Sequence, residues 1–471
     1  MAKKFYITTT APYVNADPHI GFALEIIQAD AVARYHRLLG EEVAFGFGTD
    51  EHGLKIYRKA LEEKLTPQQY CDQSVGTWNN LKQVLNLSYT HFIRTTDKHH
   101  QKAAQELWQR CLKNCDIYKK FYKIKYCSGC ELEKTDSELE NGHCPIHPNL
   151  MIDIIEEENY FFRFSKYQQP LLEFYETHPD FVIPKSRFQE IITFVKSGLQ
   201  DFSVSRLKNK MPWGVPIPND PKQVMYVWFD ALTFYISNLG WPKDEKNFRA
   251  FWPVVQLAGK DNLRQQAAIW QAMLMSGGLP NSKQIFIHGF MTKDGKKISK
   301  SLGNTVDPAE LATKYGTDAI RYFLLAKIHP FNDSDFTIPL FEETYNADLA
   351  NGLGNLVSRV AKMAEKDGLT GIHIDKPTAP DKLFNNLNHY EFNLALETLW
   401  QGFRELDQVI AQDKPWEKPA GEKKNLLTAY IQKILNLNYY LQIFLPETAT
   451  KIAKVFTGSK IKIEQSLFPR I

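Results

Sequence analysis

Phe5-Tyr6-Ile7-Thr8-Thr9-Thr10 opens the stretch that decides the fold, which runs on through His19-Ile20-Gly21 and Val43-Ala44-Phe45-Gly46-Phe47 to Gly48-Thr49-Asp50-Glu51-His52-Gly53. The first run is β-branched and aromatic, the composition of a buried strand. Pro12, Asn15, Asp17 and Pro18 then make a loop. From His19 to Leu39 the apolar residues Ile20, Ala23, Leu24, Ile27, Ala31, Tyr35 and Leu38 recur at three- and four-residue spacing, which predicts an amphipathic helix. Gly40 is its stop, and Val43 to Phe47 predicts a second strand. A strand, helix, strand series of this length implies parallel strands joined by a right-handed crossover. The fold class expected is therefore α/β, with a doubly wound, Rossmann-like parallel sheet. Ligands of such sheets sit beyond the carboxyl ends of the strands, so Thr10 to Tyr13 and Asp50 to His52 should share a crevice. His19-Ile20-Gly21 opens the helix, where free N–H groups and the positive dipole end suit a phosphate.

Outward from this unit, the chain has 471 residues, 43% hydrophobic and 24% charged, an ordinary globular mixture. At roughly 150 residues per domain, about three domains are expected. No apolar run approaches the roughly 18 residues of a membrane-spanning helix, and the start has no apolar core of a signal peptide, so a soluble intracellular protein is expected. Fifty-seven basic and fifty-four acidic side chains leave +3, far from the signature of a protein coated by nucleic acid. Binding to a polyanion would need local patches, for which Lys119 to Lys125, Lys293 to Lys300 and Lys414 to Lys424 are candidates.

The α/β rhythm breaks between 118 and 220, where a Lys- and Tyr-rich run, a cysteine cluster and the acidic Glu156 to Glu158 follow one another. Strands are expected again at Val224 to Phe229, Val254 to Ala258 and Gln284 to His288, with a helix at Leu263 to Met275. After about 340 the pattern is helical, at Leu349 to Lys362, Asn393 to Val409 and Leu426 to Phe444, which predicts an α-helical bundle. The domain division that follows is 1–117 and 221–340 for the two halves of the sheet domain, 118–220 for an insertion between them, and 341–471 for the bundle.

Cys127-x2-Cys130 and, after thirteen intervening residues, Cys144-x2-His147 have the spacing of a tetrahedral zinc site. Four protein ligands leave no open position, so the zinc would hold a knuckle rather than catalyse. Cys71, Cys111 and Cys115 read as buried thiols, and His143 as a spare ligand not needed by the set. The last motif is Asp294-Gly295-Lys296-Lys297-Ile298-Ser299-Lys300-Ser301, directly after a strand. Such a lysine-rich loop can stabilise the charge that develops on a leaving pyrophosphate.

Taken together, His19-Ile20-Gly21 and Lys297-Ile298-Ser299-Lys300-Ser301 resemble the paired signatures of class I aminoacyl-tRNA synthetases. Gly48 to Gly53, Tyr226-Val227-Trp228-Phe229-Asp230-Ala231-Leu232 and Gly259-Lys260-Asp261 narrow the resemblance to the methionyl-tRNA synthetase family, over nearly the whole chain. The resemblance implies activation of methionine by ATP with Mg²⁺, then transfer to initiator and elongator methionine tRNA, by a cytoplasmic monomer with one structural Zn²⁺ and no membrane partner. It implies a catalytic set of His19, Lys297, Lys300 and Arg206, and ATP contacts from Pro12, His19, Gly21, Gly259, Asp261 and Lys300. It places methionine among Ala11, Tyr13, Asp50, Trp228, Ala231, Tyr235, Asn262 and Gln266, with Asp50 on the amino group. Cys127, Cys130, Cys144 and His147 match the zinc ligands, and Asn355, Arg359 and Trp416 the anticodon-reading positions. An exposed Trp can stack an unpaired base while Asn and Arg read its edges. The chain departs from the family at Phe22, where a second histidine is usual, at Asn262 and Gln266, where an isoleucine and a histidine are common, and at Ala11, often larger. A class I synthetase for another amino acid, or a zinc-bearing RNA-binding protein without catalysis, are the alternative readings.

Overall fold

A computed structural model describes residues 3–130, 132–134, 138–293, 295–298, 305–372 and 377–471. Six parallel strands form its main sheet: β1 (Lys4–Thr8), β2 (Glu42–Thr49), β3 (His91–Arg94), β4 (Val182–Ile183), β5 (Val255–Gly259) and β6 (Gln284–His288). Their spatial order is β3-β2-β1-β5-β6-β4. β1 pairs with β2 from Lys4↔Glu42 to Thr8↔Gly46, and helix α1 (Ile20–Leu38) is the crossover between them. Side chains alternate along β1, with Phe5 and Ile7 entering one core and Tyr6 the other. Both faces are covered, as a parallel sheet requires. The strand order reverses between β1 and β5, so the crevice lies beyond Thr8 and Gly259.

The strand expected at Val224 to Phe229 is a misreading. Asp220–Met225 is an antiparallel strand between Pro216–Ile217 and Ser205–Leu207, outside the main sheet, and Val227–Leu232 is a helix. An unbroken apolar run of six residues does not reveal by periodicity whether it is strand or helix, and here it is the join of the two. β3 and β4 escaped the sequence reading because four and two residues are too short to show a pattern. β4 comes from within 118–220 and adds to the main sheet beside β6. The helix expected at Leu263 to Met275 is present, opening in a 3₁₀ turn at Lys260–Asn262 and a π-turn at Gln265–Ile269.

Most of the insertion is an antiparallel ladder of Ile117–Cys127 against Asp153–Phe162, in register from Ile117↔Phe162 to Tyr126↔Asp153. Its charges answer each other across the strands. Lys123 pairs with Glu156, and Lys119 reaches Glu158 at 3.7 Å and Asp220 at 3.0 Å. Lys119 and Lys123 of that run are therefore partners of the acidic run, while Lys120 lies over the Phe161 ring. Lys418 and Lys423 are likewise engaged, by Glu422 and Asp367. Cys71 and Cys111 are buried, but Cys115 is exposed, contrary to expectation. It takes a left-handed backbone, φ 58°, just past the end of helix Lys98–Lys113, a position that turns the chain outward.

The three helices expected after 340 are present, at Tyr345–Gly354 continuing into Asn355–Lys366, at Phe392–Asp413 and at Ala420–Leu441, and Pro446–Thr457 is a further helix that was not foreseen. Helix Thr317–Ala326 fastens them to the sheet domain. Its fully buried Arg321 meets Asp30 of α1 at 2.8 Å and donates to the carbonyls of Phe444 at 2.7 Å and Leu85 at 3.1 Å.

Candidate active site

Two adjoining cavities open at the strand-order reversal. The loop after β1 is held against the end of β2: the Asp50 N–H donates to the Pro12 carbonyl at 2.9 Å, and the Val14 N–H to the Asp50 carbonyl at 3.1 Å. This pairing brings Ala11, Pro12 and Tyr13 beside Asp50, as the shared crevice required.

The first cavity, of about 370 Å³, is lined by Pro12, His19, Gly21, Gly259 and Asp261 among others. His19 caps α1, its Nδ1 accepting from the Gly21 N–H at 3.1 Å. A Cβ on Gly21 would lie 2.9 Å from Cε1 of that ring, so the glycine makes room for His19 itself. Phe22 also lines this cavity and stacks edge-on against Trp78 at 5.0 Å. Sequence reasoning missed Glu25 and His288 here. The His288 ring faces an acceptor at each nitrogen, Glu25 Oε2 at 2.9 Å and the Gly289 carbonyl at 2.7 Å, and Glu25 Oε1 accepts from the Thr10 N–H at 2.6 Å. Their signals were present: Glu25 is one helical turn after Gly21 and shares its face, and His288 ends a strand at the crevice.

The second cavity, of about 450 Å³, is lined by all eight of Ala11, Tyr13, Asp50, Trp228, Ala231, Tyr235, Asn262 and Gln266. Lys55 and Cys130, not foreseen, also reach it. Helix Val227–Leu232, where a strand was expected, presents Trp228 and Ala231 from one turn. Its Asp230 points the other way and is fully buried, accepting from His52 Nδ1 at 2.6 Å and His100 Nε2 at 2.8 Å. Burial alone would raise the Asp230 carboxyl, but His52 and His100 outweigh it and bring it down to about 2. This buried bridge ties the end of β2 to the helix that walls the cavity.

Other expected residues lie elsewhere. Arg206 lines neither cavity; it is buried, with its guanidinium 4.5 Å over the Tyr226 ring and Nη1 donating to Ser203 Oγ and the Ser205 carbonyl, both at 2.8 Å. Lys297 stands in a short strand paired with Thr292, and only its backbone is described. Lys300 lies outside the described residues.

Cys127, Cys130, Cys144 and His147 converge, with their ligand atoms all within 4.8 Å of one another. Cys130 Sγ is 3.4 Å from Cys144 Sγ and 3.2 Å from His147 Nδ1, and Cys127 Sγ is 3.8 Å from Nδ1. Three thiols and one imidazole at these separations can hold a metal ion tetrahedrally. A Cβ on Gly129 would stand 2.5 Å from the His147 ring, so the turn between the first two cysteines needs its glycine. His143 pairs with Glu140 instead and is outside the cluster.

In the bundle, Asn355 is exposed at the start of its helix and Arg359, one turn on, is ion-paired with Asp407. Trp416, in the turn Pro415–Glu417, is 54% exposed. It does not plug the bundle. Asp407 lies about 9 Å along its helix from the end at Asp413, where that turn begins.

The family model described as "tRNA synthetases class I (M)" matches residues 5–151 and 135–361. The Methionine--tRNA ligase of Thermosynechococcus vestitus is 41% identical over 501 aligned residues, covering 100% of this chain and 93% of that protein. That of Nostoc sp. is 48% identical over 370, covering 77% and 69%. Among solved structures, Mycobacterium tuberculosis methionyl-tRNA synthetase in complex with methionyl-adenylate superposes with a TM-score of 0.92 at 33% identity, covering 99% of this chain and 100% of that one. The free form of the same protein gives 0.84 at 31%, covering 100% and 99%.

Proposed function

The chain belongs to the methionyl-tRNA synthetase family, ATP-dependent ligases of methionine and tRNA, and from that premise we propose how its residues divide the reaction. The observation that carries the proposal is the pair of cavities meeting at the strand-order reversal, one bordered by the helix N-terminus, the other by aromatic walls. ATP occupies the first, where His19, Gly21 and the first turn of α1 face its phosphates, with Pro12, Gly259 and Asp261 around its nucleoside. Methionine occupies the second, its amino group on Asp50 and its thioether among Tyr13, Trp228, Ala231, Tyr235, Asn262 and Gln266. Aromatic walls suit a polarisable sulfur that hydrogen-bonds weakly. The methionine carboxylate attacks the α-phosphorus of ATP, giving methionyl-adenylate and releasing pyrophosphate. Lys297 and Lys300 stabilise the charge on that leaving group, and Mg²⁺ enters as part of the nucleotide substrate. The terminal adenosine hydroxyl of the tRNA then takes the methionyl group and AMP departs. For Arg206 to assist at the substrate carboxylate, its guanidinium must turn away from Ser203 and Ser205 when substrate binds.

The metal of the four-ligand cluster is Zn²⁺, since three thiolates and an imidazole suit it best. It supplies a structural clamp on the knuckle, and no step of the reaction passes through it. The residues divide into a catalytic domain, 1–117 and 221–340, an insertion, 118–220, that lends β4 to the catalytic sheet, and an anticodon-binding bundle, 341–471. Because Asn355, Arg359 and Trp416 read an anticodon that initiator and elongator methionine tRNA share, both are substrates. The proposal is of a cytoplasmic monomer; among the described residues no helix is long and apolar enough to cross a membrane.

ATP–pyrophosphate exchange across a panel of amino acids tests this directly. Exchange should depend on methionine. Exchange with a different amino acid, or with none, would overturn the assignment of the second cavity.

A further inference from the structure

Behind Tyr235 lies a chain of buried amides and hydroxyls that does not touch the methionine cavity until its last two members. Gln256, Gln266, Gln271 and Ser282 are all buried. The direction of every hydrogen bond in the chain is set by two backbone groups. The Ser282 N–H can only donate, and it meets Gln271 Oε1 at 3.0 Å. The Gln266 carbonyl can only accept, and Gln271 Nε2 meets it at 2.8 Å. Gln271 is thereby fixed with its Nε2 also toward Ser282 Oγ, at 3.1 Å.

The rest follows in order. Ser282 Oγ, accepting from Gln271, sends its own proton to Gln256 Oε1 at 2.5 Å. Gln256 then offers Nε2 to Gln266 Oε1 at 2.7 Å, and Gln266 offers Nε2 to Tyr235 Oη at 2.6 Å. The Tyr235 hydroxyl, used here as an acceptor, has its proton left for the cavity it lines.

We infer that Ser282, Gln256 and Gln271 are positioning residues that orient Gln266 and aim the Tyr235 O–H at the sulfur of methionine, so that the site prefers a thioether over an isosteric hydrocarbon. The inference rests on methionine occupying the second cavity. A site whose buried donor needs an acceptor penalises a ligand that lacks one. Norleucine, with CH₂ in place of sulfur, is that ligand. The relay also accounts for glutamine at 266: an imidazole there could reverse its donor with protonation or tautomer, whereas an amide held at Oε1 cannot.

The test is the ratio of methionine to norleucine in steady-state pyrophosphate exchange, with a melting curve for each variant. Ser282→Ala removes the donor to Gln256 and frees both amides to turn. It should raise KM for methionine by about three- to tenfold without raising KM for norleucine or for ATP. Gln256→Glu gives a second, nearly isosteric break. When ionised, the introduced carboxylate accepts from Ser282 but cannot donate to Gln266, which turns its Nε2 toward the carboxylate and its Oε1 toward Tyr235. The tyrosine proton is then spent on Gln266 and discrimination falls. Acidification returns a proton to the introduced carboxyl, and discrimination should recover with it. Gln256 also hydrogen-bonds Tyr235, so the introduced carboxylate can itself take the tyrosine proton, to the same effect; the other ionisable groups beside Tyr235, Glu25 and Tyr6, are common to wild type and variant and cancel in the comparison.

The two substitutions break different links, so one folded variant is enough. Equal losses for methionine and norleucine, an unchanged ratio, or a Gln256→Glu ratio that ignores pH would each overturn the inference. A wild-type protein that shows no methionine-dependent exchange would instead defeat the reading of the cavity.

Discussion

His288 and Asp230 are both buried at the crevice, yet their protons respond to pH in opposite senses. Burial disfavours a charged His288 ring, but the hydrogen bond and charge of Glu25, with the Gly289 carbonyl, outweigh it and raise its pKa above the ordinary value. The stability this gives is fully present below the unfolded-state pKa of about 6.5 and is lost as pH rises through the raised value. Asp230 is the reverse case. Its carboxyl is down at about 2, so its contribution is present above the unfolded value and is lost only as pH falls toward that figure. Near neutrality the contribution of His288 therefore opposes those of His36 and His91, which burial holds below the ordinary value, and its removal isolates it. Replacing it by Gln leaves Glu25 without its cationic partner and should cost about 3 kcal/mol at slightly acid pH. The cost should shrink as pH rises. Melting curves of wild type and His288→Gln over that range check this, and parallel curves would remove His288 as the source.

At the scale of the element, the four-ligand knuckle stands at the rim of the second cavity through Cys130. Described sheet pairing in it is short: Leu132–Lys134 lies against Lys125 to Cys127, and single bridges join Glu140 to His143 and Cys144 to His147. The proposed zinc would add its coordination energy to these few contacts. Cys130→Ser should bind zinc at least tenfold more weakly and open the 128–150 segment to limited proteolysis, with KM for methionine rising because the rim is no longer fixed. Metal content of the purified variant and its cleavage pattern report on the first two independently of activity. A variant with one zinc per chain and an unchanged cleavage pattern would show that the knuckle holds without this ligand.

At the scale of the whole molecule, the residues proposed for the chemistry and those proposed to read the anticodon lie on the sheet and on the helices after 340, which are fastened through Arg321, Asp30 and the Phe444 carbonyl. Function at one end can therefore be removed without touching the other. Trp416 is the residue for this experiment, since its exposure means that truncation costs the fold little. Trp416→Ala should leave methionine-dependent pyrophosphate exchange and the melting temperature intact. It should weaken tRNA charging by about 1–3 kcal/mol, the worth of one stacked base. With a tRNA of altered anticodon the mutation should add little, because the contact is already lost. Equal losses with both tRNAs would rule out stacking on the anticodon.

The first fifty residues alone fixed the parallel sheet, because strand and helix periodicities are local and a β-α-β unit can close in only one hand. Local spacing likewise pointed to the metal cluster, because two residues between the members of each pair bring two donors together, although the two pairs meet only in the fold. The eight cavity residues were placed by their resemblance to a family, and the structure assembles them around one space. What no local pattern contained was everything made by contact between distant segments. β4 is two residues long and is a strand only because β6 lies beside it. Val227–Leu232 is a helix because Asp230 must reach two histidines from other elements while Trp228 faces a cavity. Glu25 and His288, 263 positions apart, become a pair only where the sheet reverses its order. The direction of a hydrogen-bond relay is likewise tertiary: Gln266 is an amide in the sequence, and which end of it meets Tyr235 is decided by Ser282, sixteen residues away, through Gln256, with Gln271 orienting the serine.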